Sequence, residues 1–139
     1  MQKDLRPVKR LPVGSKQHVT AGPYSPVLEV QADRLIILSG QVAVDLDGRA
    51  IGRTIEQQTE ATLANCRRHL AAAGCDFSDV FKVNVYLKDL RDWARFNAVY
   101  EASMPPPQPV RTAVQAGLLD GFLVEVEMWA AKPGAGDLL

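Results

Sequence analysis

The chain has 139 residues, with 16 basic and 16 acidic side chains and a formal net charge of zero at pH 7. That balance argues against nucleic acid or a membrane surface as the main partner. Hydrophobic residues make up 47% and charged residues 23%, which fits one globular domain with a real core and no need of disulfides or a structural metal.

No apolar run approaches the ~20 residues that span a bilayer, and the start lacks the apolar centre of a signal peptide. The expectation is a soluble, cytoplasmic protein. Cys66 and Cys75 are too few and too poorly spaced for a zinc site, and Cys66 reads as a small core residue. His69 lies three residues from Cys66 on a helical pattern with no further ligand nearby, so no metal is expected.

Residues 1–18 carry Lys3, Arg6, Lys9, Arg10 and Lys16 and read as a solvated basic arm. Residues 19–132 form the single domain, and 133–139 a tail. "TAGPYSP" (20–26) is a loop punctuated by Gly22-Pro23 and Pro26. "RLIILSGQVAV" (34–44) is a strand that Gly40 interrupts. Asp47-Gly48 marks a hairpin turn over 45–50.

Thr54 and Gln57 make a capping box for a helix. Ile55, Thr59, Thr62, Leu63, Cys66 and Leu70 then recur at helical spacing, and Gly74 ends it. "VFKVNVYLK" (80–88) alternates, placing Phe81, Val83, Val85 and Leu87 on one face. Asp92 can cap a second helix, 93–103, where Trp93 and Tyr100 read as core. "MPPPQP" (104–109) must be extended. "VRTAVQAGLLDGFLVEVE" (110–127) reads as two strands joined by a turn, with antiparallel pairing expected.

This order predicts an α+β two-layer sandwich, a mixed sheet with two helices on one face. The final strand divides into two sets. Val124, Val126, Met128 and Ala130 suit the helix-covered face. Leu123, Glu125, Glu127 and Trp129 suit an interface better than open solvent. If the final strands pair, Arg111 and Glu125 line one region. Two readings follow: a structural ion pair, or an arginine clamp for a carboxylate beside a water-orienting glutamate. Glu127 reads as structural.

The pieces "GPYSP" (22–26), "ILSGQVAVDLDG" (37–48), "EQQTEATLANCRRHLAAAG" (56–74), "DVFKVNVYLKDLRDWARFNAVYE" (79–101), "PVRTAVQ" (109–115) and "LVEVEMWA" (123–130) occur in the order of a known family. The chain resembles the RidA/YjgF/UK114 family of imine and enamine deaminases. The resemblance implies a chorismate-mutase-like fold and a homotrimer with sites between subunits. It also implies hydrolysis of 2-imino or enamino acids to 2-keto acids and ammonia, with a small-molecule substrate and no metal or organic cofactor.

On that resemblance Arg111 binds the substrate carboxylate, and Glu125 orients water and shuttles its proton. Tyr24, Ser39, Gly40, Asn97 and Ala113 complete the substrate site. Ala113 stands where many active members have cysteine. The loop "AGLLDG" (116–121) is about one residue shorter than usual, with Leu119 where proline is common. A non-catalytic trimer that binds small carboxylates, or acts as a chaperone-like or translation-linked factor, is the second implied function.

Overall fold

The computed structural model describes residues 9–19 and 22–133. Its strands are β1 (Lys9–Arg10), β2 (Glu29–Val30), β3 (Arg34–Ile37), β4 (Val80–Leu87), β5 (Val110–Gln115) and β6 (Val124–Lys132); its helices are α1 (Ile55–Ala72) and α2 (Trp93–Ser103). The larger sheet has the order β3-β6-β4-β5, antiparallel except for the parallel pair β4-β5. The fold is therefore α+β, with two helices and a mixed sheet.

Local chemistry sets the first helix. Thr54 Oγ1 accepts from the Gln57 N–H at 3.1 Å, and Gln57 Oε1 accepts from the Thr54 N–H at 3.3 Å. These two bonds satisfy donors that a helix start leaves open. Gly74 follows the helix at φ +74°, a conformation that costs glycine least. The face of α1 bearing Ile55, Leu63, Cys66 and Leu70 packs into one core with Val83, Val85, Val126 and Met128 of the sheet. The Asp47-Gly48 turn is also present: Asp45 Oδ1 accepts from the N–H groups of Asp47 and Arg49, each at 2.9 Å. Cys66 and Cys75 are buried, and no disulfide joins them.

Several expectations are corrected. The strands of 110–127 do not form a hairpin. β4 lies between them, because α2 carries the chain across the sheet to lay β5 parallel to β4. The ladder over 34–44 stops at Ile37 and resumes only as a bridge from Gln41 to Val126. Phe81 is half-buried rather than core, since an irregularity between Val80 and Lys82 gives the core position to Val80. Asp92 makes no capping bond. Asp89 instead accepts from the Arg91 N–H at 2.8 Å and caps a short turn that leads into α2.

The basic arm is also not wholly solvated. Residues 1–8 and the tail beyond 133 lie outside the described residues. Lys9, however, belongs to β1, is 5% exposed and donates from Nζ to the Val80 carbonyl at 2.5 Å. Burial lowers its ammonium pKa to about 8, with Asp79 pulling the other way.

Among the described residues no helix covers the second sheet face. Leu35 and Ile37 are more than half exposed there, and Leu123, Glu125, Glu127 and Trp129 are half-buried. The alternation predicted for the last strand holds along β6.

Candidate active site

Register decides where Arg111 points. Arg111 pairs with Val83 and Ala113 with Val85, both on the helix-facing side. Arg111 therefore enters the space beneath α2 and is 8% exposed. Its Nη2 donates to Asn97 Oδ1 at 2.8 Å. Four rings surround its Cζ: Tyr100 at 4.9 Å, Trp93 at 5.0 Å, Tyr24 at 5.2 Å and Phe96 at 5.7 Å, each to the ring centroid. Aromatic faces attract a guanidinium by roughly 0.5–2 kcal/mol each, depending on exposure.

The cage supplies no counter-charge. Arg111 forms no ion pair among the described residues, and its Nε and Nη1 have no hydrogen-bond partner. The structural ion-pair reading therefore has no partner among the described residues. Burial lowers the guanidinium pKa, opposed by the nearby Tyr100 and Tyr24. Burial also pushes the Tyr100 phenol up and keeps it neutral. Leaving a charged donor buried and unsatisfied costs more than the roughly 1–3 kcal/mol of a neutral group. An anion would recover that cost, because Nη1 and the second Nη2 hydrogen form a planar fork that matches a carboxylate.

The loop around Tyr24 is docked against the start of β5. Ser25 N–H donates to the Pro109 carbonyl at 3.1 Å, and Ser25 Oγ donates to the Gln108 carbonyl. Gly22 allows a close approach: a Cβ there would lie 3.2 Å from Trp93 Cζ2 and from Tyr24 Cε1, and 3.3 Å from Asn97 Nδ2, a tight fit that would push on the ring and the amide.

The remaining expected residues lie elsewhere. Glu125 pairs with Tyr86 and faces the uncovered side of the sheet. Gly40 packs against it, so closely that a Cβ on Gly40 would sit 2.6 Å from Glu125 Oε2. Gln41 and Val126 exchange both backbone bonds, at 2.7 and 3.0 Å, and Gln41 Nε2 donates to the Ser39 carbonyl at 3.1 Å. Neighbouring Glu127 is occupied: its Oε1 accepts from Tyr86 OH at 2.7 Å and Asn84 Nδ2 at 2.9 Å. The bond to Glu127 also raises the Tyr86 phenol pKa. No such donor holds Glu125 among the described residues.

The expected set thus falls into two groups. Tyr24, Asn97 and Arg111 meet on the helix side, where Ala113 also points. Gly40 and Glu125 meet on the open side, and Ser39, next to Gly40 in the chain, is exposed. The expectation that Arg111 and Glu125 line one region is overturned within the chain, because β4 separates their strands and their side chains leave opposite faces. Sequence reasoning took Trp93 and Tyr100 for core alone and did not single out Gly22 or Phe96 for the site. One signal was present: a polar Asn97 inside the apolar stripe of α2 marks a place where a buried polar group needs a partner. Among the described residues no three potential metal ligands cluster, and no helix is long and apolar enough to cross a membrane.

The family model described as Endoribonuclease L-PSP matches residues 15–132. Protein mmf2, mitochondrial, of Schizosaccharomyces pombe is 36% identical over 129 residues, covering 90% of this chain and all of that protein. The mouse 2-iminobutanoate/2-iminopropanoate deaminase is 37% identical over 120 residues, covering 85% of this chain and 87% of the relative. Among solved structures, a YjgF-family protein of Neisseria meningitidis matches with TM-score 0.65 at 33% identity, over 84% of this chain and 92% of that one. E. coli TdcF, solved with bound serine, matches with TM-score 0.67 at 26% identity, over 81% and 94%. The order of motifs, the fold and these matches agree: the chain belongs to the Endoribonuclease L-PSP family, also called RidA/YjgF/UK114.

Proposed function

We propose that the protein hydrolyses 2-imino or enamino acids to 2-keto acids and ammonia. The observation that carries this reading is Arg111, a buried guanidinium in an aromatic cage with two nitrogens unpaired and no carboxylate to meet among the described residues. It is suited to a small substrate that brings one carboxylate. Relatives from mouse, goat and cattle named as 2-iminobutanoate/2-iminopropanoate deaminases, at 35–37% identity, support the same reaction.

In this reading Arg111 clamps the substrate carboxylate. Glu125 of a second copy then orients water towards the C=N carbon and takes its proton. Water adds to that carbon, the proton passes to nitrogen, and ammonia leaves as the carbonyl forms. An imine is labile in water, so positioning supplies most of the acceleration. The reaction needs no cofactor. Ala113 offers no thiol, which leaves its backbone as the group that could touch the water.

The open face bearing Leu35, Ile37, Leu123 and Trp129 is the surface through which copies would meet, as a homotrimer of the chorismate-mutase-like kind. Glu125 stands on that same face with no hydrogen-bond donor among the described residues, which supports a role for it beside a neighbour's Arg111. We assign the reaction to the cytoplasm, although two fission-yeast relatives carry mitochondrial names.

The test is loss of semicarbazide trapping when the protein is added to an amino-acid oxidase that releases imino acid. Faster conversion to keto acid is expected for wild type and not for Arg111→Ala. Full trapping with small, branched and aromatic imino acids alike would favour a non-catalytic carboxylate binder.

A further inference from the structure

Asn65 sits in the middle of α1, where asparagine is a poor helix former. Its side chain is turned to a loop. Nδ2 donates to the carbonyls of Val42 and Val44, both at 2.9 Å. Arg68 Nη2 donates to Asn65 Oδ1 at 3.2 Å and so fixes which way the amide faces. Between the two clasped carbonyls Ala43 is fully buried, and its own carbonyl accepts from the Ile51 N–H at 2.8 Å. One amide thus closes a small turn.

That turn begins next to Gln41, whose two bonds to Val126 lock Gly40 against Glu125. The other side of the contact is tied to the same helix. Gln58, two turns earlier on α1, is 6% exposed, donates to the Gly52 carbonyl at 3.3 Å and accepts from the Leu123 N–H at 2.9 Å. Leu123 stands two residues before Glu125. Each side of the Gly40–Glu125 contact is therefore held by a side-chain amide of α1.

We propose that Asn65 is a positioning residue for the reaction, with Gln58 as its counterpart. Asn65 sets the height of the Gly40 turn over Glu125, and Gln58 sets the start of the strand that carries Glu125. The role rests on the deaminase reading given above. Neither amide touches Arg111 or its cage, so the carboxylate clamp is untouched by their loss.

The Val126 N–H reports the clasp directly, because its acceptor is Gln41 itself. Amide hydrogen exchange on the intact protein is compared for wild type, Asn65→Asp, Asn65→Ala and Leu63→Ala. Asn65→Asp keeps shape and replaces the two-hydrogen Nδ2 donor by an oxygen that faces two carbonyls. Asn65→Ala removes the donors without adding charge and serves if the aspartate variant does not fold. Leu63→Ala is a plain core truncation on the same helix. Two lost hydrogen bonds predict about 10-fold or more faster exchange at Gln41 and Val126, with Val83 and Val85 unchanged. Leu63→Ala should instead speed exchange at all four together and leave kcat near wild type.

Kinetics complete the test. The Asn65 variants should lose about 10-fold in kcat with KM little changed, because substrate capture lies with Arg111. Unchanged exchange at Val126, or a rise shared equally with Val83 and Val85, overturns the clasp. A local rise with kcat intact overturns its role in positioning. If wild type itself converts no imino acid, the deaminase reading fails separately, and exchange alone decides the clasp.

Discussion

Arg111 and Glu125 are treated oppositely by the same fold. The arginine is buried, bonded to Asn97 and enclosed by four rings, all from its own chain. The glutamate stands on a sheet face that no helix covers among the described residues, with Gly40 beside it and no donor among those residues. Glu127, two residues on, shows what a satisfied carboxylate on that face looks like, with Tyr86 and Asn84 both bonded to it. The contrast teaches that burial and satisfaction are separate properties. Arg111 is held by Asn97 and the rings, and Glu125 is bordered by Gly40, yet both proposed catalytic groups are short of a partner among the described residues. A substrate carboxylate suits one, and a water held for attack suits the other.

Arg111→Ala should cause the largest loss. A charge-assisted paired contact is worth about 1.5–3 kcal/mol, or roughly 10- to 150-fold in KM. Misplacing the reacting carbon lowers kcat as well, for a combined fall of about 10³-fold in kcat/KM. Arg111→Lys should restore only part, since an ammonium lacks the planar fork. Steady-state rates with the oligomer confirmed decide this; wild-type kcat/KM in Arg111→Ala would make the cage a packing feature.

Glu125→Gln should lower kcat by about 10²-fold with KM little changed, because the amide keeps size but cannot take a proton. An equal rise in KM would instead put Glu125 in substrate binding. Gly40→Ala comes next, with kcat down about 10-fold, since the new methyl overlaps the Glu125 carboxylate. Activity unchanged in Gly40→Ala would show that the carboxylate can move aside without cost.

The smallest effect contrasts two buried cations. Lys9 has the carbonyl partner that Arg111 lacks for two of its nitrogens. Its folded pKa, about 8, lies below the ordinary 10.5. Between those values the unfolded chain holds more protons than the folded one, so stability rises with pH. Urea titrations from pH 7 to 11 should show wild type gaining on Lys9→Met from about pH 8 to 10.5, with kcat the same in both. A flat difference would mean that Lys9 keeps its proton in the fold.

Much of this architecture is legible in the sequence. Thr54, Gln57 and Gly74 mark α1 because capping is a local reaction between neighbours. The alternation Val124, Val126, Met128 marks the covered face of β6 for the same reason. Pairing between distant strands is not local. The apolar run and turn of 110–127 look the same whether the strands touch or β4 separates them, and the register that sends Arg111 inward depends on residues 28 positions earlier. Lys9 was hidden because nothing near it in sequence announces the Val80 carbonyl. At the site, the resemblance named Tyr24, Asn97 and Glu125. It did not indicate that Trp93 stands over the guanidinium or that Gly22 packs against Trp93, Tyr24 and Asn97, since a tryptophan at helical spacing reads first as core.

In the proposed mechanism Arg111 of one copy works with Glu125 of another. Arg111→Ala and Glu125→Gln proteins, each inactive alone, are unfolded together, refolded and assayed as a mixture. Shared sites predict recovery to about a quarter of wild-type activity, because each mixed trimer formed at random rebuilds one site of three. Sites contained within single chains predict no recovery at any mixing ratio, and that result would contradict the account.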